Sequence, residues 1–245
     1  LERLSSGLRV NRASDDAAGL AIAEFLRTIV RGTQVAQRNS QDGINLVQTA
    51  EGALVETTNA LQRIRELSIQ AANGTQGTEN RVALNAEVIQ LLAQIDDIAI
   101  QTEFNGLRVL SASQTVTLQS GPQVSQTLLV AVAGAKTNDL GIQTVAISTV
   151  AGAVSAISTI DVALQSINAL RALFGASQNR LEYTVRSLAI QEENSSASES
   201  SIRDADIAKE TIAFTRNQIL VSAGTSVLAQ ANIIPQTALQ LLGGR

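Results

Sequence analysis

Apolar and polar residues alternate along this chain with the periods of long helices. Val47, Ala50, Leu54, Thr57, Leu61, Ile64, Ser68 and Ala71 recur at spacings of three and four, a heptad seam that contains small residues and so allows close helix approach. The seam lies in a stretch without proline that opens at Ser14-Asp15-Asp16, a predicted N-cap with acidic residues at the positive end of the helix dipole, and runs to about Asn73. A helix of that length spans about 85 Å, more than a globular domain needs. It serves either an intramolecular bundle or a partner chain. Asn73-Gly74-Thr75-Gln76-Gly77 reads as a turn, and Thr78 to about Thr102 as a second helix with Val82, Leu84, Val88, Leu91, Leu92, Ile95 and Ile98 as its apolar positions.

Asn105-Gly106 ends that helix and opens an extended part. Thr115–Gln119 and Thr127–Val132 read as two strands around Gly121-Pro122, inside an interval from Val109 to Ile160 whose only charges are Lys136 and Asp139. From about Ile147 to Arg203 the chain is again helical. Positions 157, 160, 164, 167, 171, 174, 178, 181, 185 and 188 are Ile, Ile, Leu, Ile, Arg, Phe, Gln, Leu, Val and Leu, so eight of ten are apolar at coiled-coil spacing. Asp204 and Asp206 mark a joint before a last helix. In that helix the 28 residues between Arg216 and Arg245 carry no charge, and Leu220, Ala223, Val227, Ala231, Ile234, Ala238 and Leu241 share one face. Gln218, Gln230, Asn232, Gln236 and Pro235 make it a poor membrane span. A helix without charge on any face predicts burial by other chains, and hence a polymer. The fold class is therefore mainly α, a long antiparallel coiled-coil-like helix bundle with a small β-hairpin region. Its expected divisions are 1–13 as a remnant of an N-terminal segment and linker, 14–203 as a helical core domain with a hairpin insert at about 109–146, and 204–245 as a C-terminal helix.

Composition narrows the chemistry. The 245 residues include 18 Lys+Arg and 22 Asp+Glu, a net charge of −4 that argues against a nucleic-acid groove. The absence of Cys and His removes thiol nucleophiles, disulfides, imidazole catalysis and the common zinc sites. Aromatics make up 2%, so the core is built of Ala, Leu, Ile and Val, packed in narrow seams and without a ring-lined ligand pocket. Asp15-Asp16, Asp96-Asp97 and Glu192-Glu193 are adjacent pairs that diverge by about 100° on a helix and form no acid–base dyad. Asp204-Ala205-Asp206 lacks the ligand ladder of a calcium loop. No catalysis, cofactor or metal is expected. The first residue is not Met, which reads as a trimmed N-terminus, and no signal-peptide pattern is present.

Several runs carry a specific resemblance. Leu4-Ser5-Ser6-Gly7-Leu8-Arg9, Asp15-Asp16-Ala17-Ala18-Gly19-Leu20-Ala21-Ile22-Ala23, Gln48-Thr49-Ala50-Glu51-Gly52-Ala53-Leu54, Leu61-Gln62-Arg63-Ile64-Arg65-Glu66-Leu67 and Phe104-Asn105-Gly106 resemble the N-terminal block of bacterial flagellin. Gln178-Asn179-Arg180-Leu181, Arg216-Asn217-Gln218-Ile219-Leu220 and Ala229-Gln230-Ala231-Asn232 resemble its C-terminal block. The resemblance covers roughly 1–108 and 160–245, in order.

It implies a self-assembling subunit of the extracellular flagellar filament, exported through the flagellar type III pathway. Its terminal helices would form an inner tube, and its central helices and hairpin the next layer. The interval 109–160 is too short for an outward variable domain, and the family's extreme N-terminal segment is not in this sequence, which removes one partner of the inner tube. The resemblance further implies a homopolymer, an export chaperone bound through the C-terminal helix, hook-associated and cap proteins as neighbours, and recognition of the monomer by the host Toll-like receptor that senses flagellin. Gln62, Arg63, Leu67 and Glu87 match the receptor pattern. Ile219, Leu220, Val227, Leu228, Ile234 and Leu241 are the expected polymer or chaperone contacts. No membrane insertion is expected. A hook–filament junction protein, or a membrane-active secreted helical protein using residues 217–242, are the alternative readings.

Overall fold

The computed structural model describes residues 2–243, with side chains through residue 231. Its elements run α1 (Glu2–Ser6), α2 (Ala17–Ala72), α3 (Thr78–Gln101), β1 (Glu103–Phe104), β2 (Leu107–Arg108), β3 (Gln114–Gln119), β4 (Thr127–Val132), α4 (Val150–Arg203) and α5 (Ile207–Gly243). The fold is mainly α with small antiparallel strand pairs, as the periodicity predicts. The chain divides into two compact units, Arg31–Glu192 and Leu1–Val30 with Glu193–Arg245.

In the first unit the seam of α2 is longer than the sequence suggests. Every residue from Val47 to Ala71 assigned to it is buried, and the same spacing continues upstream through Gly43, Ser40, Ala36 and Thr33. Gly43 in this stretch, and Gly32 beside it, are small where the hairpin approaches closely. A Cβ on Gly43 would stand 2.3 Å from a Leu118 methyl of β3, and one on Gly32 would stand 2.8 Å from the Cβ of Pro122 in the hairpin turn. Asn39 Nδ2 donates to the Gln119 carbonyl at 3.1 Å, fixing the hairpin along the helix. α4 contributes Ala153, Ile160, Ile167, Phe174, Leu181 and Leu188, all buried and each seven residues from the next. One hydrophobic cluster joins these α2 and α4 seams, up to Leu181, to Val88, Leu92 and Ile95 of α3 and to Leu128, Val130 and Val132 of β4. The seam of α2 is therefore intramolecular.

The hairpin pairs Gln114 with Val132 through Gln119 with Thr127. Its apolar pairs Val116–Val130 and Leu118–Leu128 face the helices, in the alternation expected of a half-buried ribbon. Asn105 and Gly106 both adopt positive φ (50° and 78°), the requirement of the two-residue turn between β1 and β2. After β4 the chain returns to α4 without regular structure and is held by α3. Asp96 Oδ1 accepts from Thr137 N at 2.8 Å, and Asn85 Oδ1 accepts from Ile147 N at 2.8 Å. Among the described residues, the interval 109–149 holds the hairpin and this return loop and no further domain.

Two expectations are corrected. Val82 is 56% exposed, and Arg81 takes the buried position beside it. The last carbonyls of α2 have no intrahelical donors; the Arg81 fork meets one of them, donating to Ala71 O at 2.8 Å, and also reaches Asn73 O in the following turn at 3.0 Å. That requirement buries Arg81 in place of Val82 at the start of α3, while Val88, Leu92 and Ile95 further along are buried as expected. The N-cap of α2 is Asp16 and not Ser14, since Asp16 Oδ1 accepts from Gly19 N at 2.8 Å. Asp15 turns back instead to accept from the Asn11 and Arg12 amides, chiefly Arg12, which hold its carboxyl below the ordinary carboxylate range.

Candidate functional site

Two surfaces follow from the sequence: a charged strip on α2 and α3, and the uncharged face of α5. On α2 the heptad buries Leu61, Ile64 and Ser68, which turns Gln62, Arg63 and Glu66 outward. Arg63 is half-exposed and sits between two carboxylates. Its Nε donates to Glu87 Oε1 at 2.9 Å and its Nη1 to Glu66 Oε2 at 3.2 Å. The bonds to Glu87, then Glu66, raise its already high pKa, so the guanidinium is a fixed positive point in an acidic frame. Arg63 also closes one end of a groove of about 660 Å³ floored by Ala53, Ala60, Leu91 and Ile98.

The structure therefore brings Gln62, Arg63 and Glu87 onto one surface. Leu67 does not join them. It is 1% exposed and lies in the core cluster, because residue 67 widens the buried seam beside Ser68. Its place at the surface is taken by Glu66, whose spacing of three from Arg63 was the available signal.

The α5 face is open. Ile219, Leu220, Val227 and Leu228 lie between 61% and 67% exposed, and every side chain from Thr215 to Ala231 is exposed. Ile212 and Val221 belong to the same surface but were not expected there. Ile212 was hidden by its charged neighbours Lys209, Glu210 and Arg216, and Val221 by lying off the assigned face. Thr211, Ile212, Thr215, Arg216, Ile219 and Leu220 line a shallow apolar groove of about 420 Å³. The side chains of Ile234 and Leu241 lie outside the described residues.

Among the described residues no group of three acidic side chains is placed to hold a metal ion. One described helix, α4, is long and apolar enough to cross a membrane by length and composition. The α4 heptad from Ala153 to Leu181 is packed in the core of the first unit.

Comparison with known proteins places these surfaces in context. Residues 1–115 match the bacterial flagellin N-terminal helical region, and residues 157–242 match the bacterial flagellin C-terminal helical region. A flagellin of Halalkalibacterium halodurans is 47% identical, the match covering 99% of this chain and 90% of that protein. The flagellar filament 31.3 kDa core protein of Treponema maltophilum is 43% identical over 99% of this chain and 91% of its own. The crystal structure of Bacillus cereus flagellin superposes with a TM-score of 0.53 at 31% identity, covering 62% of this chain and 88% of that one.

Proposed function

The chain belongs to the bacterial flagellin family, and from that premise we propose that it is a structural, non-catalytic subunit that self-assembles into the extracellular filament of the bacterial flagellum. The exposed, uncharged face of α5 carries this reading. A helix that leaves five large aliphatic side chains (Ile219, Leu220, Val221, Val227 and Leu228) more than 60% exposed and carries no charge among them is unfavourable in water on its own. It becomes favourable when copies of the chain bury it, at about 25 cal/mol per Å² of apolar surface removed from water. Neighbouring α5 helices, with the N-terminal segment, would form the inner layer of the filament. Before export through the flagellar type III pathway the same face would be covered by a chaperone that receives an amphipathic helix in a groove. Hook-associated and cap proteins would meet the same ends of the subunit. Electron microscopy and sedimentation of the purified full-length protein test the reading: hollow tubes are expected, and a protein that stays monomeric at every concentration and salt would overturn it.

A second surface supports a second role. Gln62, Arg63 and Glu87 form an exposed charged strip on one body, the kind of Arg-centred patch that dominates protein interfaces. It fits recognition of the monomer by the flagellin-sensing Toll-like receptor. Arg63→Ala combined with Glu87→Ala is expected to lower receptor signalling at least about tenfold without moving the melting temperature, since both side chains are solvated. Unchanged dose–response curves would remove the role. Leu67→Ala is unsuitable for this test, because it would act through the core.

A further inference from the structure

Helices α4 and α5 are separated at Asp204–Asp206 although the local sequence does not demand a break. Arg203-Asp204-Ala205-Asp206-Ile207 contains neither Pro nor Gly, the residues that interrupt helices most strongly. In a continuous helix the amides of Ala205, Asp206 and Ile207 would donate to the carbonyls of Ser201, Ile202 and Arg203. Asp204 still follows that rule, donating to Ser200 O at 2.8 Å. Of the groups those three bonds would join, the Ala205 amide and the Ile202 and Arg203 carbonyls bond instead to residues 7–10, far away in sequence.

Arg9 is the centre of the replacement. Its Nη2 donates to Ile202 O at 2.6 Å and its amide donates to Arg203 O at 2.7 Å, which Val10 N also reaches at 3.4 Å. The Ala205 amide donates to Gly7 O at 2.9 Å, and Leu8 pairs with Asp204 as an antiparallel bridge. Val10 is buried behind the pairing. Gly7 makes the approach possible. Its amide closes the last turn of α1 on Arg3 O at 3.0 Å, and its φ of +73° turns the chain out of that helix. On the far side of the joint the Asp206 carboxylate accepts from the Ala208 and Lys209 amides, a cap that exists only when a new helix starts there.

The Ala205 amide that a continuous helix would give to Ser201 O is given to Gly7 O, and the carbonyls such a helix would need at Asp206 and Ile207 are met by Arg9, so the two arrangements compete for the same groups. We infer that Gly7–Val10 is a clasp that holds α4 and α5 apart, and that releasing it lets residues 200–210 join into one helix. The N-terminal segment thereby controls whether α5 moves independently of α4 or as its rigid continuation, a two-state element that any partner taking up residues 7–10 would switch.

The absence of native Cys allows a clean distance measurement on the full chain. Spin labels at Ser196→Cys and Gln218→Cys would stand about 33 Å apart along one continuous helix. Gly7→Val with Arg9→Ala removes the left-handed turn and the Ile202 bond. No heavy atom lies within 4 Å of a Cβ at Gly7, so backbone strain is the main effect there. This double variant is expected to lose the parent distance distribution and gain one at about 33 Å, with amide exchange at Asp206 and Ile207 slowed at least about tenfold. Gly7→Asn, which tolerates the left-handed conformation, is expected to keep the parent behaviour. A parent distribution already centred near 33 Å would overturn the inference. So would a double variant that retains the melting of residues 31–192 and shows the parent distances and exchange rates.

Discussion

Leu220→Asp combined with Val227→Asp is expected to abolish filament growth while leaving the single subunit folded. The two residues are one heptad apart on α5 and are 61% and 67% exposed in the single chain. Their replacement therefore removes little packing and costs roughly the difference in helix propensity, at most about 0.7 kcal/mol each. In the polymer the balance differs. Both positions would enter an apolar seam in which a carboxylate has no cation to meet, since residues 217–244 hold no Lys or Arg. Burying an unpaired ion carries a penalty of several kcal/mol, and each 1.4 kcal/mol is about a tenfold change in the association constant. Two such charges per subunit, repeated at every contact, raise the critical concentration beyond any attainable one. Leu220→Ala with Val227→Ala, which loses apolar area without adding charge, is expected to weaken assembly by a smaller and measurable step. Polymer growth of the double Asp variant at the parent's critical concentration would show that α5 is not buried between subunits.

What could be read from the sequence, and what could not, follows from how each feature is encoded. The α2 seam from Val47 to Ala71 was legible because aliphatic side chains repeat at helical spacing. Its continuation through Thr33, Ala36, Ser40 and Gly43 was not. Those positions hold small residues, which carry no hydropathy signal, and at Gly43 the missing side chain is what lets Leu118 come close. Arg81 was passed over because a charged residue reads as surface, although an Arg fork is well suited to helix-end carbonyls. Leu67 was read as a surface contact through the resemblance, and its place beside Ser68 in the seam is what puts it in the core instead. The exposed apolar face of α5 was legible from the missing charges alone. The pairing of Gly7–Val10 with Ile202–Ala205 was beyond reach, because backbone hydrogen bonds between distant segments leave no periodic trace.

The resemblance and the residues answered different questions. Charge and periodicity led to a polymer of long helices, whereas the quoted motifs named its family. The strict sevenfold spacing of α4 belongs to the first kind of reading, and it sets the second large effect.

Phe174→Ala is expected to destabilise the 31–192 unit by about 3–5 kcal/mol. Phe174 is 1% exposed and is the only aromatic in a run of Ala153, Ile160, Ile167, Leu181 and Leu188 at sevenfold spacing. A ring at one position of a seam built from aliphatic chains fills a space that its neighbours are too short to enter. Its removal leaves a cavity, and the surrounding helices are held at fixed separation along their length by the remaining repeats, so the site collapses little. For a unit of this size the loss corresponds to a fall in melting temperature of about 6–20 °C. Phe174→Leu keeps most of the volume and is expected to cost less than half as much. Phe25→Ala is the control: Phe25 is 59% exposed, and its truncation should shift stability by no more than about 0.5 kcal/mol. Calorimetry of the three variants decides the matter. A Phe174→Ala chain that melts within a degree of the parent would mean that the α4 heptad does not hold this core together.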